Sequence, residues 1–542
     1  MKEEIKKFFK GEVFDDDSIL EEYSRDASLF RVKPKIVVYP KDSNDLQALT
    51  SYVSKKKEVN PDISLTIRAA GSCMSGGPIN DSIVAVVTKH MNNIKKIDSD
   101  KTIVEPGVFY REFEKEALEK NLEMPIYPAS KDLAAFGGMI SNNCGGEKTL
   151  RYGKIENFVL SSKYIFSDGN EYFIKPLTKT ELEEKISQND FEGGLYKKTF
   201  ELITENYDEI MKAKPNVTKN SSGYFLWNVW DGNVFDLNKL LTGSQGTLGI
   251  LTEAEVKLVK IKPFHDMITL FFSSWDELPE TIKAILPYKP ESLETFDEET
   301  LKLGIRFMPE IAHKTGRSVF GFLSQFLPEA WIGIKMLGLP KLVVLVEVAE
   351  ESETEVKKKI DAIRIEVEKL NINYRVIEKD SEEEKFWVMR RESFSLLRKH
   401  VSNKRTAPFV EDFCIPAHKV PEFLPLAKKI LQDNDIDVNI AGHAGDGNFH
   451  IIPLMNLKDE KERAKLLPVA EAFYTLVAKF KGTNSGEHND GIVRTPYLDK
   501  MYSPKILELF AKIKDIFDPN HIFNPNKKVG TTIEYWKSHL DA

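Results

Sequence analysis

The feature that most constrains the fold is a segment rich in glycine and histidine, AGHAGDGNFH, at residues 441–450. On both sides of it apolar and polar residues alternate, as they do in half-buried strands. Asp446-Gly447 is the strongest short signal for a two-residue hairpin turn. With that turn His443 pairs with His450, and directly opposed residues have Cβ atoms about 4.5–5.5 Å apart on one face. The sequence therefore predicts a hairpin that brings two imidazoles together.

Two opposed imidazoles indicate a metal site, although histidines packed in a core remain the alternative. A catalytic zinc site has three protein ligands and one open position. Downstream, in the tetrapeptide SGEH, Glu487 can complete the set formed by His443 and His450. The adjacent His488 points elsewhere because neighbouring side chains diverge. We expect it to serve as a proton acceptor with a near-neutral pKa. Taken alone, this tetrapeptide is also typical of an exposed polar loop.

The whole-chain properties exclude several classes of protein. With 542 residues, two or three domains are expected. The net charge of −8 argues against a nucleic-acid-binding face. The start of the chain lacks the apolar region of a signal peptide, and no apolar run is long enough to span a membrane. Cys73, Cys144 and Cys414 form no CxxC pair, so neither an iron–sulfur cluster nor a structural zinc site is predicted. We expect a cytoplasmic protein, with peripheral contact at the inner face of the membrane as the alternative.

Three loops rich in small residues lie in the first half of the chain, at residues 71–77, 128–146 and 241–250. Glycines let a backbone approach a ligand closely, and successive N–H groups bind anions. None of the loops matches a Walker sequence or the GxGxxG fingerprint, which requires a following helix. A single loop of this kind is equally typical of a plain turn. Three together predict a large flat ligand laid along exposed backbone.

The motifs occur in a recognisable order between about residues 23 and 528. They are the loop at 68–77, PAS…GGMISNNCGG…RYG, LLTGSQGTLGI, GHAGDGNFH, SGEHNDG, and DPN…FNP near the end. In these motifs the chain resembles the FAD-linked D-2-hydroxyacid dehydrogenases of the vanillyl-alcohol oxidase type. This group includes D-lactate, glycolate and D-2-hydroxyglutarate dehydrogenases.

The resemblance implies an α+β fold. A two-subdomain FAD-binding domain of the vanillyl-alcohol oxidase type is expected at 1–260. A cap domain, an antiparallel sheet covered by helices, is expected at 261–480 and carries the metal hairpin. The C-terminal segment at 481–542 is expected to complete the active site and return to the FAD domain.

The same resemblance implies which residues hold FAD. The loop at 71–77 would bind the pyrophosphate, and the other two loops would line the adenine, ribitol and isoalloxazine. No histidine stands beside Gly71, so noncovalent FAD is expected. The implied cofactor residues are Gly71, Ser72, Cys73, Met74, Ser75, Gly76, Gly77, Pro128, Ser130, Gly138, Ser141, Asn142, Gly145, Gly146, Gly246, Ile250 and Asn524. Cys144 is interpreted as a small buried thiol.

Substrate binding is assigned in the same way. Arg390 stands where the family has an arginine that grips the substrate carboxylate through a bidentate fork; a solvated pair with Arg391 is the alternative. Val410, beside Glu411, stands where 2-hydroxyglutarate enzymes have a lysine for the second carboxylate. This difference predicts a small monocarboxylate, with D-lactate favoured over glycolate and D-2-hydroxyglutarate.

The predicted reaction oxidises a 2-hydroxy acid to a 2-oxo acid. Arg390 grips the carboxylate, the metal at His443, His450 and Glu487 acidifies the hydroxyl, His488 takes its proton, and the C2 hydride passes to FAD. Zn²⁺ is the first choice, because it is redox-inert and accepts imidazoles and carboxylate; Mn²⁺ and Fe²⁺ are the alternatives. Electrons then pass to an external acceptor: a quinone, a cytochrome, an electron-transfer flavoprotein or an iron–sulfur subunit.

Several alternatives stay open. The chain could be a non-catalytic FAD-binding redox subunit, or a metal-dependent hydrolase without flavin, although the latter leaves three glycine loops unexplained. A homodimer is compatible with the sequence. Residues 317–339 are unusually apolar but are interrupted by Pro328. They are interpreted as a helical hairpin packed on the cap, with a membrane or partner surface as the alternative.

Overall fold

The structure, a computed structural model, describes residues 1–314, 327–377, 382–390, 404–436 and 438–541. Helices and mainly antiparallel sheets alternate along the described chain.

The N-terminal sheet has four short strands, and three of them run parallel. Apolar runs such as Ile36–Tyr39 form them because both faces are covered by other elements. The helix Ser43–Lys57 begins where Asp42 accepts hydrogen bonds from two backbone N–H groups, and it packs into the core on one face. In sheet order the strands are Glu12–Phe14, Ile36–Tyr39, Ile83–Val86 and Leu65–Arg68.

The middle sheet has five antiparallel strands. In order they are Ile94–Ile97, Lys101–Val104, Ile250–Lys257, Val159–Ile165 and Glu171–Ile174. The helix Pro504–Phe517 packs into the same core through Leu509, Phe510 and Ile513. Nearby, Phe523 bridges Leu65 of the N-terminal sheet. The late part of the chain therefore lies against both sheets of the first half.

The third sheet, the cap sheet, has eight strands, all paired antiparallel. Its residues alternate between two cores, so that Leu270 packs on one face and Phe271 on the other. Helical residues 382–390 cover the second face through Phe386 and Met389. The strands in order are Asn373–Ile377, Phe264–Phe272, Leu342–Glu350, Ser292–Asp297, Val438–His443, Asn448–Met455 and Arg405–Thr406, with Phe413–Cys414 also paired to Asn448–Met455.

The other elements of the described chain surround these sheets. The first face of the cap sheet shares one core with the helices Leu278–Ile285, Glu353–Lys369, Val420–Gln432 and Glu460–Lys479. Further helices are Lys2–Ile5, Asp17–Glu22, Tyr110–Leu118, Phe136–Asn142, Thr149–Tyr152, Lys179–Ile186, Phe191–Glu205, Tyr207–Ala213, Asn238–Leu241, Glu298–Arg306, Met308–Lys314, Leu327–Lys335, Gly491–Arg494 and Ile533–Ser538. Two-stranded pairs join Leu122–Glu123 to Val259–Lys260 and Leu177–Thr178 to Val234–Phe235.

The hairpin at 441–450 forms, but its predicted register is wrong. Ala441 pairs with His450, and His443 pairs with Asn448. Residues 444–447 make the connection through a short 3₁₀ turn that ends at Gly447 with φ +67°. The error shifts the pairing by an even number of residues, which leaves every side chain on its original face. The two histidines are therefore diagonal neighbours, with ring centroids 5.4 Å apart.

The apolar segment at 317–339 is described only in part, since 317–326 lie outside the described residues. Within the helix Leu327–Lys335, Ile332 packs against the cap core, whereas Trp331 and Ile334 are exposed. Among the described residues, no helix has the length and apolar character needed to cross a membrane.

Candidate active site

Three side chains converge beside the hairpin, and we call His443, His450 and Glu487 the metal triad. Nε2 of each histidine lies 3.3 Å from Oε1 of Glu487. Ligands bound to one zinc ion at about 2.0–2.2 Å in a tetrahedral site lie about 3.4 Å from each other. His443 and Glu487 are almost completely buried, and 13% of the His450 side chain is exposed. The donor types and their spacing fit a divalent metal with an open position.

Buried carboxylates hold the outer nitrogens of both histidines. Nδ1 of His443 lies 2.6 Å from Oε1 of Glu294, and Nδ1 of His450 lies 3.4 Å from Oε2 of Glu411. Such partners fix the tautomer and the ring orientation of metal-binding histidines. Burial alone would lower the pKa of His443, but the charges of Glu294 and Glu487 and the hydrogen bond to Glu294 together raise that pKa to about 9. The Nε2 atoms are therefore the ones directed at Glu487.

A buried lysine that no sequence motif indicated holds the third member of the triad. Lys219 is completely buried, and its Nζ lies 3.2 Å from Oε2 of Glu487 and 3.5 Å from Oδ2 of Asp446. Burial alone would raise the pKa of Glu487, but Lys219 and His443 hold it well below its usual range. Gly145 lies against the same carboxylate, where a Cβ would come within 2.9 Å of Oε2. Glu487 thus keeps its charge and offers Oε1 to the histidines.

His488 lies next to the triad, with its Nε2 3.7 Å from Oε1 of Glu487. Its Nδ1 is 2.9 Å and 3.0 Å from the two oxygens of Glu411. Arg494 is completely buried and donates to the same carboxylate and to the backbone carbonyls of Asn489 and Glu411. We call Arg494, Glu411 and His488 the Glu411 triplet.

The charge of Glu411 also changes the protonation of His488. Burial alone would lower the pKa of His488, but Glu411 raises it to about 9. Its carboxylate thus moves the histidine away from the near-neutral pKa that its residue type predicts.

Arg390 and Glu294 form a matching arrangement with His443, which we call the Glu294 triplet. Nη2 of Arg390 lies 3.3 Å from Oε2 of Glu294, the oxygen that does not contact His443. This contact is an ion pair rather than a hydrogen bond. Neither Oε2 of Glu294 nor Nε of Arg390 has a hydrogen-bond partner among the described residues. Both groups are buried, and unpaired buried polar atoms require an explanation. A carboxylate arriving at Arg390 would supply one.

One large cavity of about 1240 Å³ connects these groups to the glycine loops. Arg390, His450, Glu487 and His488 line it. Its size exceeds the usual range for one small ligand and suits a large cofactor plus a substrate. The predicted cofactor residues on its wall are Gly71, Ser72, Cys73, Met74, Gly77, Pro128, Ser130, Gly138, Ser141, Asn142, Gly246, Ile250 and Asn524. The four that lie behind the wall are Ser75, Gly76, Gly145 and Gly146.

The wall around the first glycine loop fits an anionic group of a bound cofactor. Gly71 adopts φ +72°, and a Cβ there would collide with the guanidinium of Arg68 at 2.2 Å. Arg68 is 92% buried, and its Nη1 has no hydrogen-bond partner within the described part of the chain. Glycine is thus required where this side chain meets the loop, and a buried cation with a free donor faces the cavity. This agrees with the expected pyrophosphate position at 71–77.

The structure places Val410 and Cys144, the two residues near the site whose roles were interpreted individually from the sequence. Val410 is completely buried in the cap core, and Glu411 belongs to its own triplet; neither lines the cavity. The position beside the second carboxylate of a substrate, which the resemblance implied for Val410, is therefore wrong, and a lysine at 410 would enter the core. Cys144 lines the cavity as a buried thiol whose pKa burial raises. Arg391 lies outside the described residues.

Two family models match the chain. The model described as "FAD binding domain" matches residues 34–173, and the one described as "FAD linked oxidases, C-terminal domain" matches residues 263–528. The first includes most of the N-terminal sheet. The second includes the cap sheet, the metal triad and the helix Pro504–Phe517, which packs against the middle sheet.

Named relatives agree with these models. The chain is 25% identical over 535 residues to a D-2-hydroxyglutarate dehydrogenase of Haemophilus influenzae, covering 96% of this chain and 50% of that protein. It is 25% identical over 498 residues to a D-lactate dehydrogenase of Archaeoglobus fulgidus, covering 91% of each. The chain therefore spans about half the length of the first relative and nine-tenths of the second.

A solved structure, 4-ethylphenol oxidase of Gulosibacter chungangensis, shares the fold with a TM-score of 0.66 at 17% identity, covering 96% of this chain and 95% of that one. This likeness and the FAD-binding model confirm the predicted α+β fold of the vanillyl-alcohol oxidase type. The two family models together match most of the chain, which therefore contains an FAD-binding domain and the C-terminal domain of FAD-linked oxidases, and its relatives include a D-2-hydroxyglutarate dehydrogenase and a D-lactate dehydrogenase.

Proposed function

We propose that this chain is an FAD-dependent dehydrogenase that oxidises a small D-2-hydroxy acid to the 2-oxo acid, with a divalent metal, Zn²⁺ in first place, at the metal triad. One observation carries the proposal. Arg390, His488, His450 and Glu487 line a single cavity that most of the predicted FAD residues also line. An anion-binding group, a metal donor set and a proton acceptor beside a flavin are the parts that this oxidation requires.

The metal and FAD each have a clear chemical role in this proposal. When bound, the metal favours ionisation of the substrate hydroxyl, and FAD accepts the C2 hydride. All remaining work falls to side chains of the chain itself.

Arg390 orients the substrate through its carboxylate. A guanidinium binds a carboxylate best through two parallel hydrogen bonds, and Nε of Arg390 is buried without a partner among the described residues. The contact with Glu294 restricts the side chain but leaves this donor available. We expect the fork to fix the carboxylate so that C2 faces the flavin side of the cavity.

His488 accepts the hydroxyl proton at Nε2. Its Nδ1 is held by Glu411, so the free nitrogen is the one near Glu487 and the cavity. A cation at the neighbouring triad would disfavour a second positive charge and lower the pKa of His488 toward the physiological range. Glu411 then stabilises the imidazolium after transfer, as a buried carboxylate does for a catalytic histidine.

D-lactate is the favoured substrate, with D-2-hydroxyglutarate and glycolate as alternatives. Among the described cap residues on the cavity wall, Arg390 is the one with a permanent charge, and its neighbours include Leu303, Ala441 and Ile452. A methyl group suits such a wall better than a second carboxylate. The D-2-hydroxyglutarate dehydrogenase among the relatives supports the first alternative.

The partners and location remain proposals as well. The three cysteines are free, and none lies within CxxC spacing, so reduced FAD would pass electrons to an external acceptor. We propose a cytoplasmic protein, with peripheral membrane contact and a homodimer as alternatives.

Anaerobic mixing of the FAD-loaded chain with each acid tests the function. Flavin absorbance should bleach with D-lactate and stay unchanged with L-lactate. Chelation of the metal should slow the bleaching while FAD stays bound. Absence of bleaching with D-lactate, glycolate and D-2-hydroxyglutarate alike would favour the non-catalytic FAD-binding subunit instead.

A further inference from the structure

Glu294 occupies an unusual position between two functional groups. It lies on the strand Ser292–Asp297 and is 99% buried. One carboxylate oxygen contacts His443 of the metal triad at 2.6 Å, and the other faces Arg390 at 3.3 Å. A charged side chain on a buried strand carries a desolvation cost that its partners must offset.

We infer that Glu294 is a positioning residue that aligns two binding groups at once: the metal-binding nitrogen of His443 and the carboxylate-binding guanidinium of Arg390. This inference rests on the proposed function and assigns the two oxygens of one carboxylate to separate tasks. Glu294 itself does not line the cavity, so it acts through its two neighbours.

The His443 side follows from tautomer control. A carboxylate accepting from Nδ1–H leaves the lone pair of a neutral imidazole on Nε2, the atom 3.3 Å from Glu487. Loss of such a partner costs about 10–100-fold in metal affinity. Oε1 of Glu294, the oxygen that contacts Nδ1 of His443, is therefore the atom expected to control the metal affinity.

The Arg390 side follows from charge. Oε2 of Glu294 has no hydrogen-bond donor among the described residues, and its ion-pair partner is Arg390. Its negative charge holds the guanidinium beside the triad without using Nε. An amide at this place would turn an NH₂ group toward Arg390 whenever its oxygen accepts from His443, and the arginine would lose its anchor.

Two substitutions separate these tasks. Glu294→Ala removes both contacts, whereas Glu294→Gln keeps the volume and can keep an acceptor for His443. We expect Glu294→Ala to weaken Zn²⁺ binding about 10–100-fold and Glu294→Gln to weaken it less. Both variants should raise the inhibition constant of propionate, which has the carboxylate without the hydroxyl, by about threefold or more. Zn²⁺ affinity is measured by competition with a chromophoric chelator, independently of turnover.

Glu347→Gln is the matched control. Glu347 is on the neighbouring strand of the same sheet, and Ser292 donates to it, but it does not line the cavity. The Zn²⁺ affinity of the Glu347→Gln variant and its inhibition constant for propionate should equal those of the wild type. Flavin absorbance and thermal unfolding report folding of every variant; if Glu294→Ala fails to fold, Glu294→Gln decides through propionate inhibition.

Three results would overturn the inference. The first is a Zn²⁺ affinity of folded Glu294→Ala within threefold of wild type. The second is unchanged propionate inhibition in Glu294→Gln. The third is an equal loss in Glu347→Gln. A wild-type chain that oxidises D-lactate yet binds no Zn²⁺, Mn²⁺ or Fe²⁺ would overturn the metal role in the proposed function together with this inference. A chain that binds metal normally but oxidises none of the three acids would overturn the function alone.

Discussion

The Glu294 triplet and the Glu411 triplet use the same three residue types in different ways. In each, a buried carboxylate joins an arginine to a histidine beside Glu487. Arg494 is completely enclosed and donates to two backbone carbonyls as well as to Glu411. Nε is buried without a hydrogen-bond partner among the described residues in both arginines, but Arg390 lines the cavity whereas Arg494 does not. The closed triplet fixes a histidine, whereas the open one leaves an arginine ready for an anion.

The largest effect is expected where the open triplet meets the metal triad. His443→Ala should remove bound metal and lower turnover by about 10³-fold or more, because several kcal/mol of charge stabilisation are lost. FAD should remain bound, since His443 is not among the residues that line the cavity. Metal analysis and flavin absorbance of the purified variant check this. Active wild-type enzyme without a stoichiometric ion would contradict it.

In the closed triplet the decisive atom is the free nitrogen of His488. His488→Gln should lower kcat by about 10²–10⁴-fold, the usual contribution of a positioned general base. Metal and FAD should both be retained, which distinguishes this variant from His443→Ala. The pH–rate profiles of the two proteins are compared. If the variant keeps the wild-type profile, His488 is not the proton acceptor.

Substitution of the two arginines sharpens the comparison directly. Arg494→Met should destabilise the fold by about 3–5 kcal/mol, because it removes one partner of a buried ion pair with Glu411 together with the donor to two buried backbone carbonyls. Arg390→Met should cost much less stability and instead raise KM, because its ion pair is loose and its task is substrate binding. Chemical unfolding and steady-state kinetics are measured on both variants. Equal stability losses would show that the two triplets do not differ as described.

The smallest effect concerns substrate size at the open triplet. D-lactate should exceed D-2-hydroxyglutarate in kcat/KM by at least about tenfold, equivalent to about 1.4 kcal/mol in transition-state binding. The reason is that Arg390 is the one permanent charge among the described cap residues on the wall, and a second buried carboxylate would lack a cation. Arg391, Arg398 and Lys399 lie outside the described residues. Equal or better use of D-2-hydroxyglutarate in parallel assays would reveal another cation.

The sequence predicted the members of the site better than their supports. His443, His450, Glu487 and His488 stand in two short motifs, and their glycine and strand context was enough to group them. The turn was misjudged because Asp446 is buried beside Lys219 rather than exposed at a two-residue turn.

The buried charged residues that hold the site in place belong to no recognisable sequence motif. Glu294 lies 149 residues from His443, and Lys219 lies 268 residues from Glu487. Each is one charged residue in an ordinary stretch of chain, and its role depends on tertiary packing alone. Val410 was misread for the same reason, since its place among the motifs does not say whether its side chain faces the cavity or the core.

The late position of Glu487 has a consequence for synthesis. The hairpin with His443 and His450 leaves the ribosome first, and its third ligand follows only after the helix Glu460–Lys479. The core of the middle sheet is likewise complete only after Pro504–Phe517 has been synthesised. Thr66 donates a hydrogen bond to Asn524, which follows it by 458 residues. Contacts this distant in sequence form slowly. The proposed metal and flavin sites should therefore form after translation rather than during it, and ribosome-bound chains stalled before residue 487 should retain neither a metal ion nor FAD firmly.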